Sequence, residues 1–287
     1  MIQNLRFHHS TGDRSPIELT RVSTLRRRDP HLSRPTRLDF HVLQFVTEGR
    51  GAHWLDFEKV VVRRGDVLHV RPGQVHAFDP KSRHDAFLLM FLPEAVQDAA
   101  AVERLNLYLR TVLKPKAPDF ALLLGLLDQI ESLPQKGGDI FPIRVAPHLL
   151  GAIVSAIGDL LVPSDKAGTP SLQGQVGLIH TFERLVEEHY ATHRDLGWYV
   201  SQLHVTGRTL ARACHAVRAM SPKHLIDARV ALEAKRHLMV SAASVEEIAF
   251  SLSFTEATNF VKFFKRVVGQ TPESFRQSRM GREVSGE

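Results

Sequence analysis

Residues 248–276, IAFSLSFTEATNFVKFFKRVVGQTPESFR, carry the pattern of a short helix, a tight turn and a second helix with a basic outer face. Just upstream, Ser244 followed three residues later by Glu247 forms a capping box that opens the first helix. Val245, Ile248, Ala249 and Leu252 give that helix one apolar face at helical spacing. A turn is expected at Ser253-Phe254, and Thr255 is expected to cap the next helix. There Phe260, Phe263, Phe264 and Val267 fall on the inner side, while Glu256, Thr258, Asn259 and Lys262 fall toward solvent. Gly269 supplies a stop, and Thr271-Pro272 starts a further helix. A short helix, a turn and a polar-faced helix form the unit that enters a DNA major groove.

Ala249, Phe254, Asn259, Phe260, Phe264, Lys265, Gly269, Thr271-Pro272 and Phe275-Arg276 together resemble the C-terminal signature of the AraC/XylS family of bacterial transcription regulators. The family's usual glycine before the phenylalanine is Ser253 here. A second unit of similar design lies upstream in WYVSQLHVTGRTLARACHAVRAMSPKHLIDARV, residues 198–230. Tyr199–Leu203 reads as its first helix, Val205-Thr206 as turn and cap, and Arg208–Val217 as its second. Ser221-Pro222 then starts a long helix to about Met239. In the family such a helix holds two reading heads at a fixed separation. Two heads on one connector reach successive major grooves roughly 34 Å apart. The resemblance implies base contacts from Arg208, Ala211 and Arg212 in the first head and from Glu256, Thr258, Asn259 and Lys262 in the second. It implies phosphate contacts from Thr206, Thr255, Arg229, Lys235, Arg236, Lys265 and Arg266. Val176–Tyr190 adds a preceding amphipathic helix with Leu178, Ile179, Phe182, Leu185 and Val186 inside.

Composition agrees with a polyanion as partner. A chain of 287 residues with a formal net charge of +6 is drawn to DNA by counterion release. Hydrophobic residues at 43% allow a packed core, and the length suits about two domains. The single cysteine, Cys214, excludes an intramolecular disulfide framework and suits a reducing cytoplasm. It falls on the inner side of its helix and reads as packing. No stretch reaches the roughly 20 apolar residues of a membrane span, and residues 1–20 lack the apolar core of a signal peptide. A cytoplasmic location is expected.

The N-terminal third changes period. Residues 41–47, 52–57, 60–63, 67–71 and 86–91 are short runs rich in Val, Leu and Phe. They are separated by turn residues at Glu48-Gly49-Arg50-Gly51, Arg64-Gly65-Asp66, Pro72-Gly73 and Asp79-Pro80. Such spacing predicts an antiparallel barrel or sandwich. Gly65-Asp66, Pro72-Gly73 and His76 resemble the second sequence motif of cupin barrels, the fold this family uses to sense small molecules.

Cupin barrels also house metalloenzymes, which raises a competing class: a cupin enzyme fused to a DNA-binding tail. The spacing speaks against it. Gln44 falls where the metal-binding glutamate of the first cupin motif is expected, and the histidine pair before it is absent. His41 and His76 alone make a poor metal site; an approach of His53 and His69 from neighbouring strands is the arrangement that would still allow one, but no metal or other cofactor is expected. Arg37, His41, Gln44, His53, His69 and His76 are instead the candidates for an effector site, because they are polar groups interspersed among strand residues. Strand alternation allows only some of them to point inward. A third alternative is a regulator indifferent to ligand, its barrel a dimer scaffold.

Residues 94–161 return to helical character, with Leu105, Leu107, Leu109 and Val112 in one segment, then Phe120–Ile130 and Pro142–Leu161. These helices suit packing onto the barrel or dimerisation. The Pro-, Gly- and Ser-containing run at 162–171 reads as a linker. The expected architecture is α+β. A cupin-like antiparallel β-barrel with packing and dimerisation helices spans residues 1–161, and an all-α domain with two helix-turn-helix units spans 172–287. The expected function is a ligand-responsive, sequence-specific transcription activator without catalysis. Its expected partners are operator DNA, RNA polymerase, a small-molecule effector and a second copy of itself.

Overall fold

A computed structural model describes residues 3–8, 15–29, 31–56, 58–98, 101–102, 105, 111–133, 140–161, 170–218 and 220–277. The chain divides into two compact units, residues 2–164 and 165–287.

The first unit is built on one nine-stranded sheet. Its strands are β1 (Gln3–Leu5), β2 (Ile17–Arg21), β3 (Thr36–Leu38), β4 (His41–Leu55), β5 (Glu58–Arg63), β6 (Val67–Val70), β7 (Val75–Phe78), β8 (Arg83–Phe91) and β9 (Val112–Leu113). The main path runs β1-β3-β7-β4-β6-β9, with β5 and β8 also on β4 and β2 on β8. Every pairing is antiparallel except β1 with β3. The sheet curls around β4, whose first half lies between β6 and β8 and whose second half meets β5 and β7.

Two sequence expectations change here. Glu48–Gly51 is not a turn between two strands: β4 runs straight through it. Gly49 takes the left-handed region at φ 71, and the register against β8 shifts between Val46 and Glu48. That extra residue bends the strand without ending it. Val112, grouped by sequence with a helix, lies in β9 because residues 112–113 pair with β6. Of that helix Leu107 and Leu109 lie outside the described residues.

Alternation along β4 sorts the two faces. Leu43 and Phe45 join Phe87, Leu89 and Phe91 of β8 in a core covered by helices α2 (Ala117–Ser132) and α3 (Ile140–Leu161) through Leu123, Leu127, Ile130, Ile153, Val154 and Ile157. Val42 and Val46 face the other way, into a core with Leu68, Val70, Phe78 and Leu88. Helix α1 (Val22–Arg28) adds Val22 and Leu25 to this second core. The apolar face of α2 and α3 is thus occupied by the sheet, with Leu122 left outward.

The second unit is helical: α4 (Pro170–His189), α5 (Leu196–Gln202), α6 (Gly207–Arg218), α7 (Pro222–Val240), α8 (Val245–Ser251) and α9 (Ala257–Val268). Residues 162–169 of the run read as a linker lie outside the described residues, and 170–171 open α4. Sequence signals set the helix ends. Ser221 accepts from His224 N–H ahead of α7, and Gly269 closes α9 at φ 87.

Two glycines allow a test of the bend. Gly49 and Gly65 both have positive φ, but a Cβ on Gly49 would run into the Arg83 carbonyl, whereas one on Gly65 meets open space. Gly65→Ala should cost about 1 kcal/mol of backbone strain, and Gly49→Ala at least about twice that, because backbone must also move. Urea midpoints of the two variants check the order.

Candidate nucleic-acid interface and sensor cavity

In the first helix-turn-helix pair, Asp195 caps α5 by accepting from Trp198 N–H at 3.2 Å, and Thr206 Oγ1 caps α6 by accepting from Thr209 N–H at 3.1 Å. The turn passes through His204 at φ 52. Leu210, Ala213 and Cys214 are buried, so Arg208 and Arg212 stand exposed and Ala211 half-exposed on the opposite side. Burial pushes the Cys214 thiol up to about 12, with Glu183 adding to the effect, so the sulfur is an inert packing group.

The second pair has the expected capping box: Ser244 N–H donates to Glu247 Oε2 at 2.7 Å, and Glu247 N–H to Ser244 Oγ at 3.1 Å. Ser253, standing where the family has glycine, takes φ 56, and Phe254 N–H closes the turn on Ala249 O at 2.9 Å. The cap of α9 differs from expectation. Glu256, in extended conformation, is the N-cap residue, and Thr255 lies one position further out. Phe260, Phe263 and Phe264 are buried against Phe254 and Phe275. Their burial turns Glu256, Thr258, Asn259, Lys262 and Lys265 to solvent.

The sequence could not separate free cations from framework. Arg229 on α7 donates to Glu187 at 2.7 and 2.8 Å and to Glu233 at 3.1 Å, and stacks on Tyr190. Arg236, 5% exposed, donates to the same Glu233 at 3.2 Å. Both therefore sit inside ion pairs, a placement that does not suit the phosphate role expected of them. Lys235 is half-buried on α7. Arg266 is 62% exposed in its side chain while donating to the buried Asp227 at 3.1 Å. Thr206, Thr255 and Lys265 are exposed.

In the sheet unit, a cavity of about 370 Å³ opens among Leu25, Leu38, Phe40, Val42, Phe78, Leu88 and Met90. Gln44, His53 and His76 bring polar atoms to its wall, and Asp29, His31 and Arg34, all solvent-exposed, also line it. Gln44 and His53 lie nine positions apart on one strand, an odd separation that strict alternation places on opposite faces. The bulge at Val46–Glu48 inserts the residue that restores both to one face. His84, absent from the sequence-based candidates, completes the group through its Nε2, 2.8 Å from Gln44 Nε2. Its even-numbered place with Ala86 and Leu88 on β8 was the available signal.

The other candidates are elsewhere. His41 and His69 face the helix side, bonded to each other at 2.9 Å, with His41 stacked on Phe91. Arg37 points away between Thr36 and Leu38, its Nε donating to Gly73 O at 3.1 Å. Among the described residues no cluster of three His, Cys, Asp or Glu side chains is arranged to hold a metal.

His53 is 1% exposed, and neither ring nitrogen has a hydrogen-bond partner; His76 Nδ1 and His84 Nδ1 are buried in the same state. Burial, helped by the neighbouring His76, His84 and Arg26, holds His53 well below the ordinary 6.5. Burial takes His76 down to about 4, and burial with Arg26 does the same for His84. The cavity therefore presents neutral imidazoles at pH 7.

A helical unit with two capped helix-turn-helix pairs, joined to a curled-sheet unit enclosing a polar-tipped cavity, defines a DNA-binding regulator with a ligand-binding type of domain. Comparison with known proteins gives the family. Residues 22–142 match the AraC-like ligand binding domain and residues 199–278 a helix-turn-helix domain. The chain belongs to the AraC/XylS family of transcription regulators. It is similar to the HTH-type transcriptional activator RhaS of Escherichia coli, 22% identical over 250 residues that cover 85% of this chain and 87% of that protein. Among solved structures, ToxT from Vibrio cholerae in an unsaturated-fatty-acid-bound form aligns over 92% of this chain and 95% of its own, at 10% identity and a TM-score of 0.42. The DNA-binding domain of AdpA in complex with a target DNA aligns over 41% of this chain and all of its own, at 22% identity and a TM-score of 0.33.

The histidines generate a pH prediction. In the unfolded chain each titrates near 6.5, whereas His41, His76 and His84 hold out to about 4 when folded. Between these values the unfolded state binds more protons, so stability is full above about pH 6.5 and falls as pH drops toward 4. Urea midpoints should hold from pH 7.5 to about pH 6.5 and decline from there to pH 5. A flat profile would mean that the rings titrate freely.

Proposed function

We propose that this regulator is a ligand-responsive activator in which a small molecule in the sheet cavity controls the binding of two helix-turn-helix heads to an operator. The observation that carries the ligand response is His53: a buried imidazole with donor and acceptor both unpaired, in a mainly aliphatic cavity. Each unsatisfied group costs about 1–3 kcal/mol, which a bound molecule with a matching polar group recovers. The cavity suits a compact molecule with an apolar body and a hydroxyl or carbonyl group reaching Gln44, His53 and His76. To switch the protein, that molecule must bind the DNA-competent arrangement more tightly, by about 1.4 kcal/mol for each tenfold shift.

On the DNA side, Arg208, Ala211 and Arg212 of α6 and Glu256, Thr258, Asn259 and Lys262 of α9 are the proposed base readers. Arginine pairs with guanine and asparagine with adenine, about 1–3 kcal/mol of discrimination each. Thr206, Thr255, Lys265 and Arg266 are the proposed phosphate contacts, with Lys235 beside them. Activation implies contact with RNA polymerase, and similarity to the transcriptional activator RhaS supports that sense of regulation. A homodimer, a cytoplasmic setting and the absence of catalysis complete the proposal. Similarity to named regulators supports the last, and no described helix is long and apolar enough to cross a membrane.

Selection of bound fragments from genomic DNA gives the operator on which this is tested. Arg212→Ala and Asn259→Ala should each relax preference at one or two base positions, and unchanged selectivity in both would refute the placement. Lys265→Ala should weaken all sequences alike and reduce the salt slope by about one unit. Arg236→Ala should leave the slope alone and lower stability by about 1.5–3 kcal/mol, because Glu233 loses one charged hydrogen-bond partner while keeping Arg229. For the sensor, a thermal-shift screen of the full chain with hydroxylated and carbonyl-bearing small molecules should yield ligands that also change operator affinity. Ligands that stabilise the chain yet leave operator affinity unchanged would sink the switch.

A further inference from the structure

Arg194 lies in the loop between α4 and α5, at the entrance to the first helix-turn-helix pair, and is absent from every expected DNA contact. Its guanidinium nevertheless reaches the turn of the second pair. One terminal nitrogen donates to Ser253 O at 2.7 Å, and the guanidinium carbon stacks 3.6 Å from the centre of the Phe254 ring. Its own carbonyl accepts from Lys223 Nζ at 3.1 Å, at the start of the connector α7. Lys223 also donates to Asp227 at 2.8 Å, and Asp227 receives Arg266 from α9. One residue thus joins the start of head one, the start of the connector and the turn of head two, the connector through its main-chain carbonyl and the turn through its side chain.

The second head follows α7 through residues 241–244, which are not helical. A head joined there alone could pivot about its link. Arg276 secures the link itself, donating to Leu238 O at 3.2 Å and to Ala243 O at 2.6 Å, and Arg266 secures α9 to the connector; Arg194 adds the tie that runs from the first head to the turn of the second. Arginine suits the task because its flat face can stack on an aromatic ring while its edge donates a hydrogen bond.

We propose that Arg194 is a positioning residue for DNA recognition, tying the entrance of the first head to the turn of the second and so fixing the separation of the two recognition helices. This rests on α6 and α9 being the recognition helices. A shift of one base pair moves a half-site by about 3.4 Å along the axis. A tie of hydrogen-bond length is short enough to discriminate such steps.

The test uses the full chain and a pool of random duplex DNA, sequenced after selection at one salt concentration. The wild type should enrich two half-motifs at one spacing. Arg194→Ala should keep both half-motifs while its preference for that spacing over neighbours one base pair away falls about tenfold, the effect of losing one charge-assisted hydrogen bond. Arg194→Lys, which keeps the charge without the flat stacking face, should fall between them and gives the answer if the alanine variant does not fold. The double variant Ser253→Gly with Arg194→Ala separates the tie from relief of local strain, since glycine accepts φ 56 freely. It should stay relaxed in spacing. Restoration of the wild-type spacing in the double variant, an unchanged spacing in Arg194→Ala, or loss of either half-motif would overturn the proposal. A single half-motif from the wild type would instead sink the assignment of the two recognition helices, and the tie with it.

Discussion

A polar group taken out of water must find a partner or cost the fold free energy, and this requirement governs both units of the molecule. In the helical unit it is met at the buried carboxylates. Glu233, buried on α7, receives Arg229 and Arg236, and Arg229 reaches on to Glu187 of α4. Glu183 receives Arg218 from α6 at 2.6 and 2.7 Å. These pairs hold α6 and the connector against α4, so the exposed cations at 208 and 212 project from a rigid support. In the sheet unit the same requirement is left unmet at His53, and there a binding function is proposed.

The cavity exists because β4 breaks its own alternation once. Before the bulge, even-numbered residues face the cavity side; after it, odd-numbered ones do, as Val42 and Leu55 in one core demonstrate. Without the inserted residue, Gln44 and His53 would look to opposite faces of the sheet, and His53 would lose its place beside Phe78 and His84. Gly51 serves the same end, since a side chain there would collide with the His84 ring. The opposite face is committed to packing, with His41 and His69 paired under α2 and α3.

Much of the helical unit was legible in the chain because its signals are local. A capping box, a proline at the first helical position and a left-handed glycine act within four or five residues, and Ser244, Ser221-Pro222 and Gly269 act as such signals predict. The same holds for the apolar stripes: Phe260 and Phe264 lie inside because a helix turns 100° per residue. Thr255 misled by one position, since Thr255 and Glu256 both precede the same apolar run and only the backbone path distinguishes them.

By itself, then, the sequence determined the class of each half, most helix ends, the apolar stripes of the helices and the family, all consequences of short-range stereochemistry and spacing. Tertiary structure decided which polar residues share a site. Which of Arg37, His41, Gln44, His53, His69 and His76 meet depends on strand parity, and one register shift in β4 inverts parity for everything after it. Which arginines are free depends on whether a carboxylate from another helix arrives beside them, as Glu187 does for Arg229, 42 positions away. Such long-range meetings are set by how elements pack, and no local pattern encodes them.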